Sequence, residues 1–138
     1  MAIMRATQAI IHVSRLRENM QAIRNKVGKN RAICIPVKAD AYGHGAVQIA
    51  LEVLRCGASC LAVASVREAI ELRESGIEAP VLLLSVPSPE EIPEAVANKI
   101  SMLAADMDFL VLVAEAAQKA DKPVSLHIKI DTGMGRIG

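Results

Sequence analysis

A single lysine, Lys38, closes the apolar run Ile33-Cys34-Ile35-Pro36-Val37, and the small-residue stretch Ala39-Asp40-Ala41-Tyr42-Gly43-His44-Gly45 follows it. The apolar run reads as a buried strand, so one amine stands at a strand's end. Burial disfavours an ammonium ion and frees the neutral amine as a nucleophile or base, the form that Schiff-base chemistry needs. A lysine at a strand end can equally snorkel its charge to solvent, and position alone leaves both accounts open. A second group of polar residues, Lys129, Asp131 and Arg136, lies behind another apolar run near residues 124–130.

Side-chain alternation relates the two groups. If Lys38 points inward, period 2 turns Pro36, Cys34 and Ala32 inward and sends Val37, Ile35 and Ile33 out toward covering helices. In Ser125 to Asp131, an inward Lys129 brings His127 and Asp131 with it, while Leu126, Ile128 and Ile130 point outward. Both strands then aim polar groups at one centre.

The elements that must hold these residues alternate along the chain. Thr7 to Val13 suggests a strand, with Ser14 as N-cap of a helix from Arg15 to Lys26 whose apolar residues Leu16, Met20, Ile23 and Val27 keep helical spacing. A strand over Ala32 to Val37 follows, then a helix through Ala46, Ile49, Ala50, Val53 and Leu54 closed by Gly57. Cys60 to Ala64 is a short strand. Ser65 and Glu68 form a capping box for a helix reaching Gly76. Val81 to Ser85 is a strand; Ser88, with Pro89 at the first helical position, opens a helix that runs to about Ala97 and has Pro93 near its first turn. Ile100 to Leu103 is a brief strand, Asp106 starts a further helix, and Pro123 precedes a strand over Val124 to Ile130. Strands and helices in this rhythm predict right-handed βαβ units and a parallel sheet, an α/β fold. The pattern suits either a doubly wound sheet or part of a (β/α)₈ barrel, and a complete barrel takes about 250 residues.

Composition narrows the function classes. The 138 residues are 52% hydrophobic and 22% charged, enough for a globular core. A net charge of +1, one Tyr, one Phe and no Trp offer neither a polyelectrolyte surface nor stacking platforms, which argues against nucleic acid. No signal peptide or membrane-length apolar span is expected, and Cys34, Cys56 and Cys60 read as reduced core thiols, which suits the cytoplasm. Cys56-x-x-x-Cys60 lacks the further ligands of a tetrahedral metal site, so no metal is expected.

The segment Val37-Lys38-Ala39-Asp40-Ala41-Tyr42-Gly43-His44-Gly45 closely resembles the pyridoxal-phosphate attachment segment of the alanine racemase family, and Lys129-Ile130-Asp131-Thr132-Gly133-Met134-Gly135-Arg136-Ile137-Gly138 resembles a second signature of that family. The resemblance implies a parallel (β/α) barrel of TIM type, with residues 1–138 its amino-terminal part, truncated after about the fifth barrel strand and without the family's C-terminal β domain. It implies an isomerase that uses pyridoxal 5'-phosphate to interconvert L-alanine and D-alanine for peptidoglycan, as a cytoplasmic homodimer. By the same resemblance Lys38 holds the cofactor's aldehyde carbon and is the catalytic lysine, Tyr42 binds the cofactor phosphate, and Arg136 contacts the cofactor's ring hydroxyl and the substrate carboxylate. Lys129 corresponds to a lysine that some members carbamylate; an unmodified lysine paired with Asp131 or a bound anion is the alternative. Leu84, inward by parity, packs beside the cofactor ring or simply in the core. Asp40 and His44 read as turn-forming and capping residues, and His12 and His127 as buried structural ones.

The family's second base is a Tyr supplied by the partner subunit from the later domain, so this stretch alone is expected to be inactive. A pyridoxal-phosphate-binding barrel without racemase activity, or an inert α/β scaffold, are the alternatives. Gly133-Met134-Gly135-Arg136-Ile137-Gly138 also spells G-x-G-x-x-G; a dinucleotide site would require a helix to begin there.

Overall fold

In the computed structural model residues 9–138 are described. Five short strands form one parallel sheet in the order β1-β2-β3-β4-β5. They are β1 (Cys34–Pro36), β2 (Cys60–Val63), β3 (Val81–Leu83), β4 (Ile100–Ala104) and β5 (Leu126–Ile128). The helical elements are α1 (Val13–Val27), α2 (Lys38–Gly43), α3 (Ala46–Arg55), α4 (Val66–Glu74), α5 (Ile92–Ala97) and α6 (Met107–Ala120). Each strand pairs with the next in sequence, and the order never reverses. A doubly wound sheet requires such a reversal, so the topology is that of consecutive barrel staves.

Burial alternates as the parity argument expects. Ile33 and Val37 flanking β1, Leu61 and Val63 of β2, Val81 and Leu83 of β3, and Ile100, Met102 and Ala104 of β4 are buried. With them are buried Ala50 and Val53 of α3, Ala69 and Leu72 of α4, Ala95 and Val96 of α5, and Phe109 and Val113 of α6, in one contiguous apolar core. Each large side chain so buried contributes roughly 1.5–3 kcal/mol, which is what fixes the register against one-residue slips. The opposite face carries Cys34, Pro36, Leu82, Ser101, Leu103 and His127, which are exposed or half-buried, and Ala62, which is buried. β5 differs: its outer face has no helix over it, and Ile128 and Ile130 are 82% and 70% exposed.

Several local expectations hold. Ser65 accepts a hydrogen bond from the Glu68 N–H at 3.2 Å, and Asp106 accepts one from the Phe109 N–H at 2.8 Å. Gly57, just past α3, takes φ +90°, a conformation glycine adopts freely. The differences have physical causes. Residues 9–12 are not strand and α1 already includes Ser14, its N-cap being His12; Thr7 and Gln8 lie outside the described residues. Pro89 does not open α5, because Glu91 folds its carboxylate back onto the Ser88 N–H at 2.8 Å and closes a turn, so the helix starts at Ile92 with Pro93 behind it. Cys34 is exposed rather than a core thiol, since it lies beside Cys60 on the sheet face opposite the helices. His12 and His127 are exposed as well.

Candidate active site

Lys38 is half-buried and lies two residues beyond the end of β1, where the ladder's last contact is the Val37 N–H donating to the Ala62 carbonyl at 2.8 Å. In parallel βα architectures the carboxyl ends of the strands carry the chemistry, because the loops there converge on one rim. The two ion pairs among the described residues both involve Glu52, so Lys38 has no carboxylate partner there.

The segment after Lys38 was expected to be a turn; its hand could not be expected. Ala39, Asp40, Ala41 and Tyr42 have φ between +50° and +57°, so α2 is a left-handed turn of four consecutive non-glycine residues. Such a conformation costs an L-residue roughly 1–2 kcal/mol because Cβ crowds the following carbonyl. The turn is held from several sides. The Ala41 N–H donates to the Val37 carbonyl at 2.8 Å, and the Gly45 N–H to the Asp40 carbonyl at 3.0 Å. Asp40 Oδ1 accepts the Ala46 N–H at 2.7 Å, and His44 Nδ1 donates to the Ala41 carbonyl at 2.8 Å. The capping roles expected of Asp40 and His44 are therefore present. Glu68 adds a contact from outside, accepting the Ala39 N–H at 2.8 Å. Gly43 and Gly45 continue at φ +84° and +89°, bringing the chain into α3.

Tyr42 projects from this turn with 60% of its surface exposed. Leu84 follows β3 directly, half-buried, its N–H donating to the Val63 carbonyl at 2.8 Å. Lys129 follows β5 directly, and its Nζ donates to the neighbouring Ile130 carbonyl at 2.9 Å. The expected alternative pairing with Asp131 is absent, because both Asp131 oxygens are engaged by backbone. Oδ1 accepts the Gly133 N–H at 2.7 Å and Oδ2 the Arg136 N–H at 3.0 Å. These donors, Gly133 foremost, hold the Asp131 carboxyl below the usual carboxylate range. Residues 131–136 thus wrap around one carboxylate and carry the exposed Arg136 on that wrap. Gly138 closes on the same segment; a Cβ there would lie 2.4 Å from the Asp131 nitrogen. No helix begins in residues 133–138, which removes the dinucleotide reading.

The structure therefore brings Lys38 and Tyr42 together on one turn and Lys129 and Arg136 together on another, with Leu84 between them at the centre of the sheet. The two turns sit at the same ends of the two outermost strands, β1 and β5, with three strands between them. Glu68 was read as a helix cap only. Its approach to the Lys38 turn joins residues distant in sequence, and no local signal could have announced it. Among the described residues no three His, Cys, Asp or Glu cluster as a metal site, and no helix is long and apolar enough to cross a membrane.

Comparison with known proteins agrees with this geometry. Residues 11–138 match the family model described as alanine racemase, N-terminal domain. The alanine racemase of Treponema denticola is 53% identical over 135 residues, covering 98% of this chain and 36% of the relative. That of Treponema pallidum is 45% identical over 139 residues, with 98% and 36% covered. Among solved structures, alanine racemase from E. faecalis superposes with a TM-score of 0.87 at 36% identity, covering 93% of this chain and 35% of that one. Alanine racemase from Clostridium difficile 630 gives 0.84 at 38% identity, with 90% and 32% covered. The chain thus spans about a third of the length of the relatives it matches. With five consecutive barrel staves and both signature segments at the strands' carboxyl ends, the chain belongs to the alanine racemase family, as part of its N-terminal barrel domain.

Proposed function

We propose that this chain is the amino-terminal part of a pyridoxal 5'-phosphate-dependent racemase that interconverts L-alanine and D-alanine, with Lys38 as the lysine that holds the cofactor. The observation that carries this is Lys38 at the carboxyl end of β1, fixed ahead of a left-handed turn that costs energy and is held by several hydrogen bonds. Strain of this kind persists only where surrounding structure over-determines it, and it gathers at functional sites. The donor set fits the cofactor: an amine for its aldehyde, a phenol for its phosphate and a guanidinium for anionic oxygens.

When bound, pyridoxal phosphate supplies an electron sink for the charge left at Cα when an amino acid loses its α-proton. The chain's own groups do the rest. Lys38 Nζ takes or returns the proton on one face of Cα, and Tyr42 donates its hydroxyl to the phosphate. The Arg136 fork engages the substrate carboxylate and the ring hydroxyl, and Leu84 packs against the ring. Lys129, carbamylated, would place a negative charge beside Arg136 and steady it. The whole enzyme is a cytoplasmic homodimer supplying D-alanine to peptidoglycan, and residues 1–138 by themselves do not racemise alanine.

Incubation with pyridoxal phosphate, borohydride reduction and peptide mass spectrometry test the assignment. A pyridoxyl mass increment is expected on Lys38 and on no other lysine, and Lys38→Ala abolishes it. Equal labelling of Lys26, Lys29 and Lys38 would overturn the reading.

A further inference from the structure

Glu68 lies in the first turn of α4, and its two carboxylate oxygens go to the segments that follow two different strands, β1 and β2. Oε1 accepts the Ala39 N–H and Oε2 the Ala64 N–H, each at 2.8 Å. Neither partner is itself in a strand: Ala39 follows Lys38 in the turn beyond β1, and Ala64 follows the last residue of β2. The carboxylate therefore replaces the ladder where β1 and β2 part, after the Val37 N–H has made its bond to Ala62. The arrangement continues sideways, since the Ala64 carbonyl accepts the Ser85 Oγ–H at 2.8 Å, just past Leu84. One side chain thus links the exits of β1 and β2, and through Ala64 the exit of β3.

We propose that Glu68 is the positioning residue for Lys38, fixing the left-handed turn so that the lysine points to the sheet face opposite the helices; this rests on the cofactor role proposed for Lys38. Every other hydrogen bond to residues 38–43 comes from residues 37–46 themselves, and among the described residues Glu68 is the one side chain from another element that hydrogen-bonds to them, the buried Ala41 methyl adding only apolar packing. Without it the unfavourable hand of Ala39 is held by local bonds alone, and a right-handed or extended start of the turn would swing Lys38 away. The carboxylate itself matters. Two N–H donors face it, and a carboxylate offers an acceptor to each. Glutamine offers one oxygen and turns an NH₂ on the other donor, while aspartate is a methylene short.

The test compares the whole protein that carries this chain with its Glu68→Gln, Glu68→Ala and, as a control on the exposed side of α4, Glu71→Ala variants. Two measurements are made. Pyridoxal-phosphate titration with borohydride trapping reads cofactor capture at Lys38; NMR reads the turn, because residues with positive φ give strong intraresidue HN–Hα cross-peaks. Expected is a rise of about tenfold or more in the apparent dissociation constant at Lys38 for Glu68→Ala, a smaller rise for Glu68→Gln and none for Glu71→Ala, with helix content unchanged by circular dichroism. The Ala39 cross-peak weakens in the same order, and the Ala39 and Ala64 amide protons move together. Unchanged capture in Glu68→Ala would overturn the proposal. Should the unsubstituted chain capture no cofactor at Lys38, the Lys38 assignment fails; the positioning claim then stands or falls on whether Glu68→Ala alters the Ala39 to Tyr42 cross-peaks.

Discussion

At the scale of single residues the left-handed turn gives the sharpest expectation. Ala39 is exposed at φ +50°, ψ +52°, so its methyl group costs strain and packs against little. Ala39→Gly should stabilise the chain by about 1 kcal/mol, a rise of a few degrees in the thermal midpoint. Ala41 at φ +51° has the same strain, but its methyl is buried, so Ala41→Gly should gain less. Matching denaturation curves for the two variants would refute this account. Glu52 gives a second expectation. It is buried, and the Arg17 hydrogen bond, followed by the charges of Arg17 and Arg55, holds its carboxyl below the ordinary range. A carboxyl depressed in the folded state contributes stability above the unfolded value and loses it as pH falls through the folded one. Acidification through and below the usual carboxylate range should lower the thermal midpoint, and Glu52→Gln should lower it at neutral pH and flatten its acid dependence.

Elements are joined by side chains that reach backbone, and arginine does most of this. Arg73 on α4 donates from Nη1 to the Ile77 and Ala79 carbonyls, both at 2.8 Å, from Nε to Asn98 at 3.0 Å and from Nη2 to Lys99 at 3.2 Å. It ties the loop before β3 to the loop before β4. Arg24 on α1 does the same nearby, donating to Arg31 and Gly57 carbonyls at 2.6 Å each. Arg73→Met keeps the stem's packing and leaves four carbonyls without their donor; a loss of about 2 kcal/mol in urea denaturation is expected. These roles explain what sequence reading reached and missed. Ser65 and Asp106 were legible as caps because a cap's partner lies three residues away. The hand of α2 was not, since Ala-Asp-Ala-Tyr carries no glycine to signal positive φ and the cause lies in contacts with other elements. Arg24, Arg73 and the second role of Glu68 were hidden for the same reason. Lys38, Lys129 and Arg136 were singled out through their motifs, while their separation onto two turns at opposite edges appeared only with the sheet order.

For the whole molecule, the five-stranded order leaves β1 and β5 each paired on one side within the described residues. An apolar groove runs along α1 and β1, lined by Ile11, Met20, Ile35, Ala41 and Ile49, and the outer face of β5 shows Leu126, Ile128 and Ile130. Open strand edges beside apolar surface favour pairing with another chain. Residues 1–138 alone are expected to self-associate at micromolar concentration and to melt broadly. Sedimentation equilibrium and calorimetry decide it; a monodisperse monomer with a sharp two-state transition would count against the expectation.

The sequential order of the strands also bears on how the chain reaches its fold. Each pairing joins strands separated by one helix, or by α2 and α3 between β1 and β2, and none waits for a distant segment. Contacts of low sequence separation form early and cheaply, so the staves can be laid down one after another as the polypeptide leaves the ribosome. The Lys38 turn needs a later unit, because its clasp on Glu68 waits for α4, just as the Arg24 contact with Gly57 waits for the end of α3. Emergence of α4 is thus the step at which the lysine's bearing becomes fixed during synthesis, while β3, β4 and β5 have yet to leave the ribosome and pair.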